Sequence, residues 1–396
     1  MQTAAHATIK LPLHGGHAPP YLIARMIKLS GAISKVIVDE YGHHEFLRRL
    51  SDPLWFQAFG CVLGFDWHSS GVTTVVTGVL KQSLTVEKHG ISIAGGKGKK
   101  SNQVKNDIPS LAEKNYNLSS TKIDNLLYAS KMTAKVDSAV VQDGYSLYHH
   151  TILFDKNGDW TVVQQGMNAE NMTARRYHWI SDIVDSFTCE PHMGIISNYK
   201  NVRALNMASI NSEESQKASL ELATSNTENL KSSVSKINLG KHGSRETEST
   251  LDKWMPEYIS SSVSNVFLKK NYQTNEHYEM PTRLNWNLFK KIYDIQPDNY
   301  EELISIDGFG PAAVRALALI AEIIHGTKPS WEDPVKYNFA HGGKDGVPYP
   351  VARNTYDKSI SYLAGAIEGA EIERKERIQA LKKLAAFSTK LFSHKD

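Results

Sequence analysis

The strongest constraint on this chain lies between residues 145 and 168. YSLYHHTILFD alternates aromatic or apolar side chains with polar ones, the turn DKNGD follows, and WTVVQQGMN resumes a β-rich composition. Asn-Gly between two such runs marks a hairpin, because a tight hairpin turn places both residues at positive φ. An antiparallel pair over these residues is therefore the fixed point around which the rest is read.

Most of the remaining chain carries helical spacing. Leu22, Met26, Ile27, Leu29, Ile33, Ile37 and Val38 recur every three or four residues, and Tyr41-Gly42 stops them. A short helix follows near 45–50, and Ser51-Asp52-Pro53 has the chemistry of a helix start. Val72 to Leu84 and residues 109–136 also read as helical. Residues 90–107 read as a short strand followed by a Gly/Lys loop. From 209 to 250 aromatics are scarce and Ser, Asn, Glu and Lys abound, which predicts a solvated helical connector. Residues 281–326 read as helical, 328–356 as an ordered loop, and 358–392 as one amphipathic helix. The expected fold class is α+β, in three parts. Residues 1–205 form a mixed α/β domain built on the hairpin, 206–280 a connector, and 281–396 a mainly helical domain.

Composition narrows the function classes. At 396 residues the chain exceeds one ordinary core, and 41% hydrophobic content excludes wholesale disorder. No apolar run is long enough for a transmembrane helix, and the first twenty residues lack an apolar secretory core. Cys61 and Cys189 are too few for a disulfide framework, so a reducing cytoplasm is the expected compartment. A net charge of +3 excludes a binder that works by bulk charge, but not a local basic patch. Sixteen histidines pose a further question: whether they cluster with carboxylates.

The most specific motif is LISIDGFGPAAVRALALIAEII, residues 303–324. Gly308, Phe309 and Gly310 separate two apolar helices, and Pro311 suits the first position of the second. Free amides at that helix start can take a nucleic-acid phosphate, and Arg315 lies one turn on. The alternative is an ordinary pair of helices, or one used for dimer packing. A glycosylase reading fails, because Ala312 stands where a bifunctional enzyme of that type carries lysine.

Four other segments hold chemistry-bearing residues. Asp66 and His68 share a face if extended, and can hold a divalent ion. Asp137, Asp143, His149 and His150 gather near the hairpin, with His149 and His150 on opposite faces. Carboxylates and a histidine on a sheet are what metal-assisted phosphodiester hydrolysis needs. Gly95-Gly96-Lys97-Gly98-Lys99 makes a cationic loop suited to phosphates, though it is not a P-loop. Arg175-Arg176-Tyr177-His178-Trp179 is a basic-aromatic cluster that can contact phosphates and stack bases. His-Gly-Gly turns recur at His14 and His341. Each of these also has a purely structural reading.

Taken together, LPLHGGHAPP, WFQAFGCVLGFDWHSSG, AGGKGK, DGYSLYHHTILFD, VVQQGMN, ARRYHW, DGFGPAAVRALALIAE and DPVKYNFAHGGKDGVPYPV resemble one family. It is the prokaryotic, mainly archaeal and thermophile, family known as domain of unknown function 763. The resemblance spans nearly the whole chain and implies a nucleic-acid-processing protein with a helix-hairpin-helix motif. The expectation is a metal-dependent nuclease acting on structured or single-stranded DNA, or on RNA, with Mg²⁺ or Mn²⁺ as cofactor. Asp66, His68, Asp137 and Asp143 are the expected metal ligands, with His149 or His150 activating water. Lys97, Lys99, Arg175 and Arg176 are the expected phosphate contacts. The alternative is a non-catalytic DNA-binding or repair-scaffold protein, and a homodimer fits either reading by adding avidity.

Overall fold

The computed structural model describes residues 20–64, 71–197, 200–201, 203–242, 279–281, 283–335, 337–338 and 353–392. The chain opens with helix α1 (Pro20–Ser51), which bends where Gly42 takes φ 87°. Asp52 starts α2 (Pro53–Leu63), its carboxylate accepting the backbone N–H of Leu54 at 2.8 Å and of Trp55 at 3.2 Å. Every residue of α2 is buried, which its apolar run requires. Helices α3 (Gly71–Ser83) and α4 (Val86–His89) then lead into strand β1 (Ile91–Lys97). The Gly/Lys segment that follows is a 3₁₀ turn, Gly98–Gln103, running into α5 (Val104–Tyr116). Helix α6 (Ser120–Lys135) ends in a π turn, Val136–Val140.

The hairpin forms where the sequence predicts, but of the Asn-Gly pair only Gly158 takes a positive φ, 88°. Strands β2 (Val141–Gln142), β3 (Ser146–Asp155) and β4 (Trp160–Asn168) follow in order, and β3 and β4 pair antiparallel with Thr151 opposite Val163. Asp155 shapes the turn by accepting the N–H of Asn157 at 2.8 Å and of Asp159 at 3.1 Å. Strands β5 (Thr173–Ile180) and β6 (Gly194–Ser197) extend the sheet, and β7 (Leu205–Asn206) pairs with β2 alone. Helices α7 (Glu213–Thr224), α8 (Thr227–His242), α9 (Trp286–Ile295), α10 (Tyr300–Ser305) and α11 (Pro311–His325) follow. Strand β8 (Tyr337–Asn338) precedes α12 (Arg353–Gly369) and α13 (Arg374–Phe392). The sheet order is β1-β3-β4-β5-β6-β8, antiparallel except for the β6–β8 pair.

Each face of the sheet buries its own core. On one face Ile152, Phe154, Val162, Tyr177 and Trp179 pack with α5, α6, α7 and the α9–α11 helices. On the other Ile93, Leu153 and Val163 pack with α1, α2, α3 and the closing helices, through Leu363, Ile367 and Leu384. A fully buried side chain of this size stabilises the fold by about 1.5–3 kcal/mol relative to exposure. The central strands are thus covered on both sides, and polar residues on either face of β3–β5 are forced into the interior.

Three expectations about organisation change. The division at residue 205 does not break the core, because Ala218, Leu230, Phe289 and Leu317 share one cluster with Ile152 and Trp179. The first half of the supposed connector is α7 and α8, which bury Ala223, Leu230 and Val234 rather than standing in solvent. The terminal amphipathic run is two helices rather than one, because α12 ends at Gly369 and α13 restarts at Arg374.

Candidate nucleic-acid interface and buried polar network

The π turn after α6 points Asp137 into the core against the sheet. Its carboxylate accepts from Trp179 Nε1 at 2.9 Å, His192 Nε2 at 2.5 Å and Gln164 Nε2. Gln164 Nε2 also donates to the Thr133 carbonyl at 2.9 Å, leaving its Oε1 for His150 Nδ1 at 2.7 Å. His150 Nε2 meets Ser130 Oγ at 2.8 Å. One chain of hydrogen bonds therefore runs from a helix hydroxyl, across β3 and β4, to a buried carboxylate.

A second cluster sits on the same face of β5. Arg175, wholly buried, donates to Asp143 at 2.8 Å and through both terminal nitrogens to Asp333 at 2.9 and 2.8 Å. Tyr177 O–H donates to Asp143 at 2.7 Å, and the Tyr145 amide to its other oxygen at 3.1 Å. Burial opposes the guanidinium charge, yet Asp143 and Asp333 together hold Arg175 above its ordinary pKa. Burial pushes the Asp143 carboxyl up, with Arg175 opposing that shift and Asp333 reinforcing it.

The opposite face is built differently. His149 Nε2 meets Thr77 Oγ1 at 3.1 Å and Thr151 Oγ1 at 2.9 Å, and burial lowers its pKa to about 3. Arg176 donates to Gln57 Oε1 at 3.0 Å and stacks on Phe56 at 4.7 Å. Among the described residues no carboxylate pairs with Arg176, and burial lowers it to about 9.

These placements correct several expectations. Arg175 and Arg176 lie in a strand buried on both faces and do not reach solvent, so they are not surface phosphate contacts. Asp137 and Asp143 have separate partners: Asp137 is enclosed by the nitrogen donors of Trp179, His192 and Gln164, and Asp143 by Arg175, the Tyr177 hydroxyl and the Tyr145 amide. Among the described residues no three His, Cys, Asp or Glu side chains converge to hold an ion. Asp66 and His68 lie outside the described residues, as do His14 and His341. His149 and His150 do face opposite sides, as alternation along a strand requires.

A pocket of about 340 Å³ opens at the edge where β3 meets α5 and α6. Its walls include Ser130, Tyr148, His149 and His150, with Lys105 and Lys131 among them. Exposed Lys97 lies 6.0 Å over the Tyr148 ring, and Lys99 and Lys100 stand exposed on the adjoining 3₁₀ turn. Gly95 makes this edge possible. Its φ is +89°, and a Cβ there would lie 2.3 Å from the His150 carbonyl oxygen.

The turn between α10 and α11 packs on α6 beside this pocket. Gly308 takes φ +90°, Phe309 is buried, and Gly308 and Pro311 stay exposed. Lys135 Nζ holds the turn by donating to the Ile306 carbonyl at 3.0 Å and the Phe309 carbonyl at 2.5 Å. Burial lowers Lys135 to about 8. Lys131 pairs with Asp307 at 2.9 Å, so one lysine joins the pocket to the turn. Arg315 faces inward, its Nη1 donating to Gln142 Oε1 at 3.1 Å.

The family model described as "Protein of unknown function (DUF763)" matches residues 7–351. The chain belongs to the DUF763 family. No curated protein and no solved structure matches it. Among the described residues of this DUF763 protein no helix is long and apolar enough to cross a membrane. Ser130, Thr133, Lys131, Lys135 and His192 carry no pattern in the sequence that marks them. Gln164 and Asp333 stand in segments that draw attention, but their partners lie 14 and 158 residues away.

Proposed function

We propose that this DUF763 protein binds nucleic acid by its phosphate backbone, across the exposed α10–α11 turn and the lysines around the neighbouring pocket. The observation that carries the reading is the position of Lys131, which lines the pocket and also pairs with Asp307 of the turn. Lys97, Lys99, Lys100, Lys105 and the start of α11 thereby belong to one cationic surface. Helix-start amides and lysines contact phosphates without reading bases, so the binding is sequence-tolerant and salt-dependent.

DNA is the expected ligand, and fluorescence anisotropy with labelled single- and double-stranded DNA across a salt series tests it. Lys105→Glu/Lys131→Glu should weaken affinity by about tenfold or more and reduce the salt slope by about 1 for each lost contact. Lys375→Glu on exposed α13 should leave it unchanged. Equal weakening by both variants, or no binding at low salt, would sink the reading.

Phosphodiester cleavage is a second reading, favoured by the histidine-lined pocket on the same surface. Its metal-assisted form, with Mg²⁺ or Mn²⁺, needs ligands from Asp66 and His68, because Asp137 and Asp143 are enclosed by donors. Comparing cleavage in either ion with cleavage in EDTA tests that form directly.

A further inference from the structure

Ser130 and His150 form a hydrogen-bonded pair on the wall of the lysine-rimmed pocket, and the network behind them fixes which proton sits where. Gln164 sets the order of donors and acceptors. Its side-chain amide has one donor end and one acceptor end. The donor end must face the Thr133 carbonyl and Asp137, because both of those accept. The acceptor end, Oε1, therefore faces His150 Nδ1 at 2.7 Å. Nδ1 must carry the proton to satisfy it. A neutral imidazole has only one N–H, so Nε2 is left with its lone pair, 2.8 Å from Ser130 Oγ. The serine O–H then donates to Nε2. Trp179 and His192 hold Asp137 in turn, so the orientation is set three groups deep.

We propose that Ser130 is a nucleophile and His150 its general base, acting on a phosphodiester drawn into the pocket by Lys105 and Lys131. A serine is a weak nucleophile alone and becomes active when a base within hydrogen-bond reach is itself oriented by a third group. Gln164 is that third group and acts as a positioning residue. In the first step Oγ forms a bond to phosphorus while its proton passes to His150 Nε2. The bond from phosphorus to the departing alkoxide breaks, and the proton on His150 moves to that oxygen. Water then attacks the phosphoseryl diester, gives its proton to His150, and releases Ser130 as the P–Oγ bond breaks and Oγ takes the proton back. Lys105 and Lys131, on the pocket wall, supply positive charge for the phosphoryl oxygens, where stabilisation is needed, with Lys131 exchanging its Asp307 partner for the phosphate. No metal ion enters either step. The substrate class rests on the nucleic-acid reading above, whereas the pairing of Ser130 with His150 does not.

The test is covalent capture. The full chain is incubated in EDTA with a fluorophosphonate, from which a reactive serine displaces fluoride to form a P–O bond, and the adduct is located by peptide mass spectrometry. The expected result is one adduct on Ser130, absent in Ser130→Ala and slowed at least tenfold in His150→Gln. Ser130→Ala removes one oxygen from a helix and leaves His150 Nε2 without that partner, so its melting temperature should fall while it still unfolds as one cooperative thermal transition. Nitrogen NMR of labelled histidine adds a readout that needs no variant: His150 should show a protonated Nδ1 and a bare Nε2. An unmodified wild-type protein beside a labelled control serine hydrolase, or an Nε2–H tautomer, overturns the proposal. DNA affinity measured on the same samples separates the two readings. Labelling without DNA binding removes the substrate class, and DNA binding without labelling removes the nucleophile.

Discussion

Arg175 and Arg176 are neighbours in β5, both buried, and they look into opposite cores. Arg175 meets Asp143 and Asp333 in a cluster with a bidentate pair. Arg176 meets Gln57 and the Phe56 ring, with no carboxylate among the described residues. The same side chain at the same depth is thus held above its ordinary pKa in one case and pushed down to about 9 in the other. The difference comes from what the covering layer supplies. One layer brings acids from the β2–β3 loop and from residue 333, and the other brings amides, threonines and an aromatic face. A buried charge is stabilising only when its desolvation is offset by partners, so the two arginines should answer to substitution very differently.

The largest expected effect is at Arg175. Arg175→Met keeps the volume but strands two carboxylates in the core, and should cost about 3–5 kcal/mol in urea unfolding. Adding Asp143→Asn and Asp333→Asn to that variant should restore part of the loss, because the stranded charges disappear. A cost under about 1 kcal/mol for Arg175→Met alone would mean that the cluster is not an ion pair in solution.

Acid should probe the same contrast through the histidines of these strands. His149, His150 and His178 are all lowered below the ordinary 6.5, burial being the first cause in each case, with His149 at about 3. Their unfolded forms take up protons near pH 6.5 while the native forms do not. Stability is therefore fully present above about pH 6.5 and falls as the pH drops toward the native values, by about 1.4 kcal/mol per pH unit for each histidine. Asp143, raised by burial, works in the opposite sense above its ordinary 3.8. His178→Gln should flatten the profile between pH 6 and 5 by one histidine's share. An unchanged slope would show that His178 is not held neutral.

How much of this was legible in the sequence follows from the range of the forces involved. The β3–β4 hairpin, the Gly42 break and the Asp52 cap are local, and the alternation, the glycines and the Ser-Asp-Pro turn declare them. The placement of ARRYHW is not local. Read alone it is a basic surface strip, because nothing in six residues reveals that helices from both ends of the chain cover one face and helices from its middle the other. Once they do, every polar side chain of β5 must find an internal partner, and Arg175 finds Asp333 from 158 residues away. The same holds for Ser130, which acquires meaning only because β3 lays His150 beside it. The lysine loop and the GFG turn were legible as separate motifs. Their adjacency was not, because it depends on α6, whose Lys131 and Lys135, one turn apart, both hold the GFG turn while Lys131 also lines the pocket.

The smallest expected effect is also the sharpest test of the comparison. Arg176→Met removes hydrogen bonds to Gln57 and Thr73, each contributing about 0.5–1.5 kcal/mol net. It also removes a charge whose desolvation no acid among the described residues offsets. The two terms oppose one another, so the net change should lie within about 1 kcal/mol of zero, far below that of Arg175→Met. A loss of 3 kcal/mol or more would instead have the size expected when a buried carboxylate is stranded. That outcome would erase the contrast with Arg175, whereas a change near zero is what amide and aromatic partners alone predict.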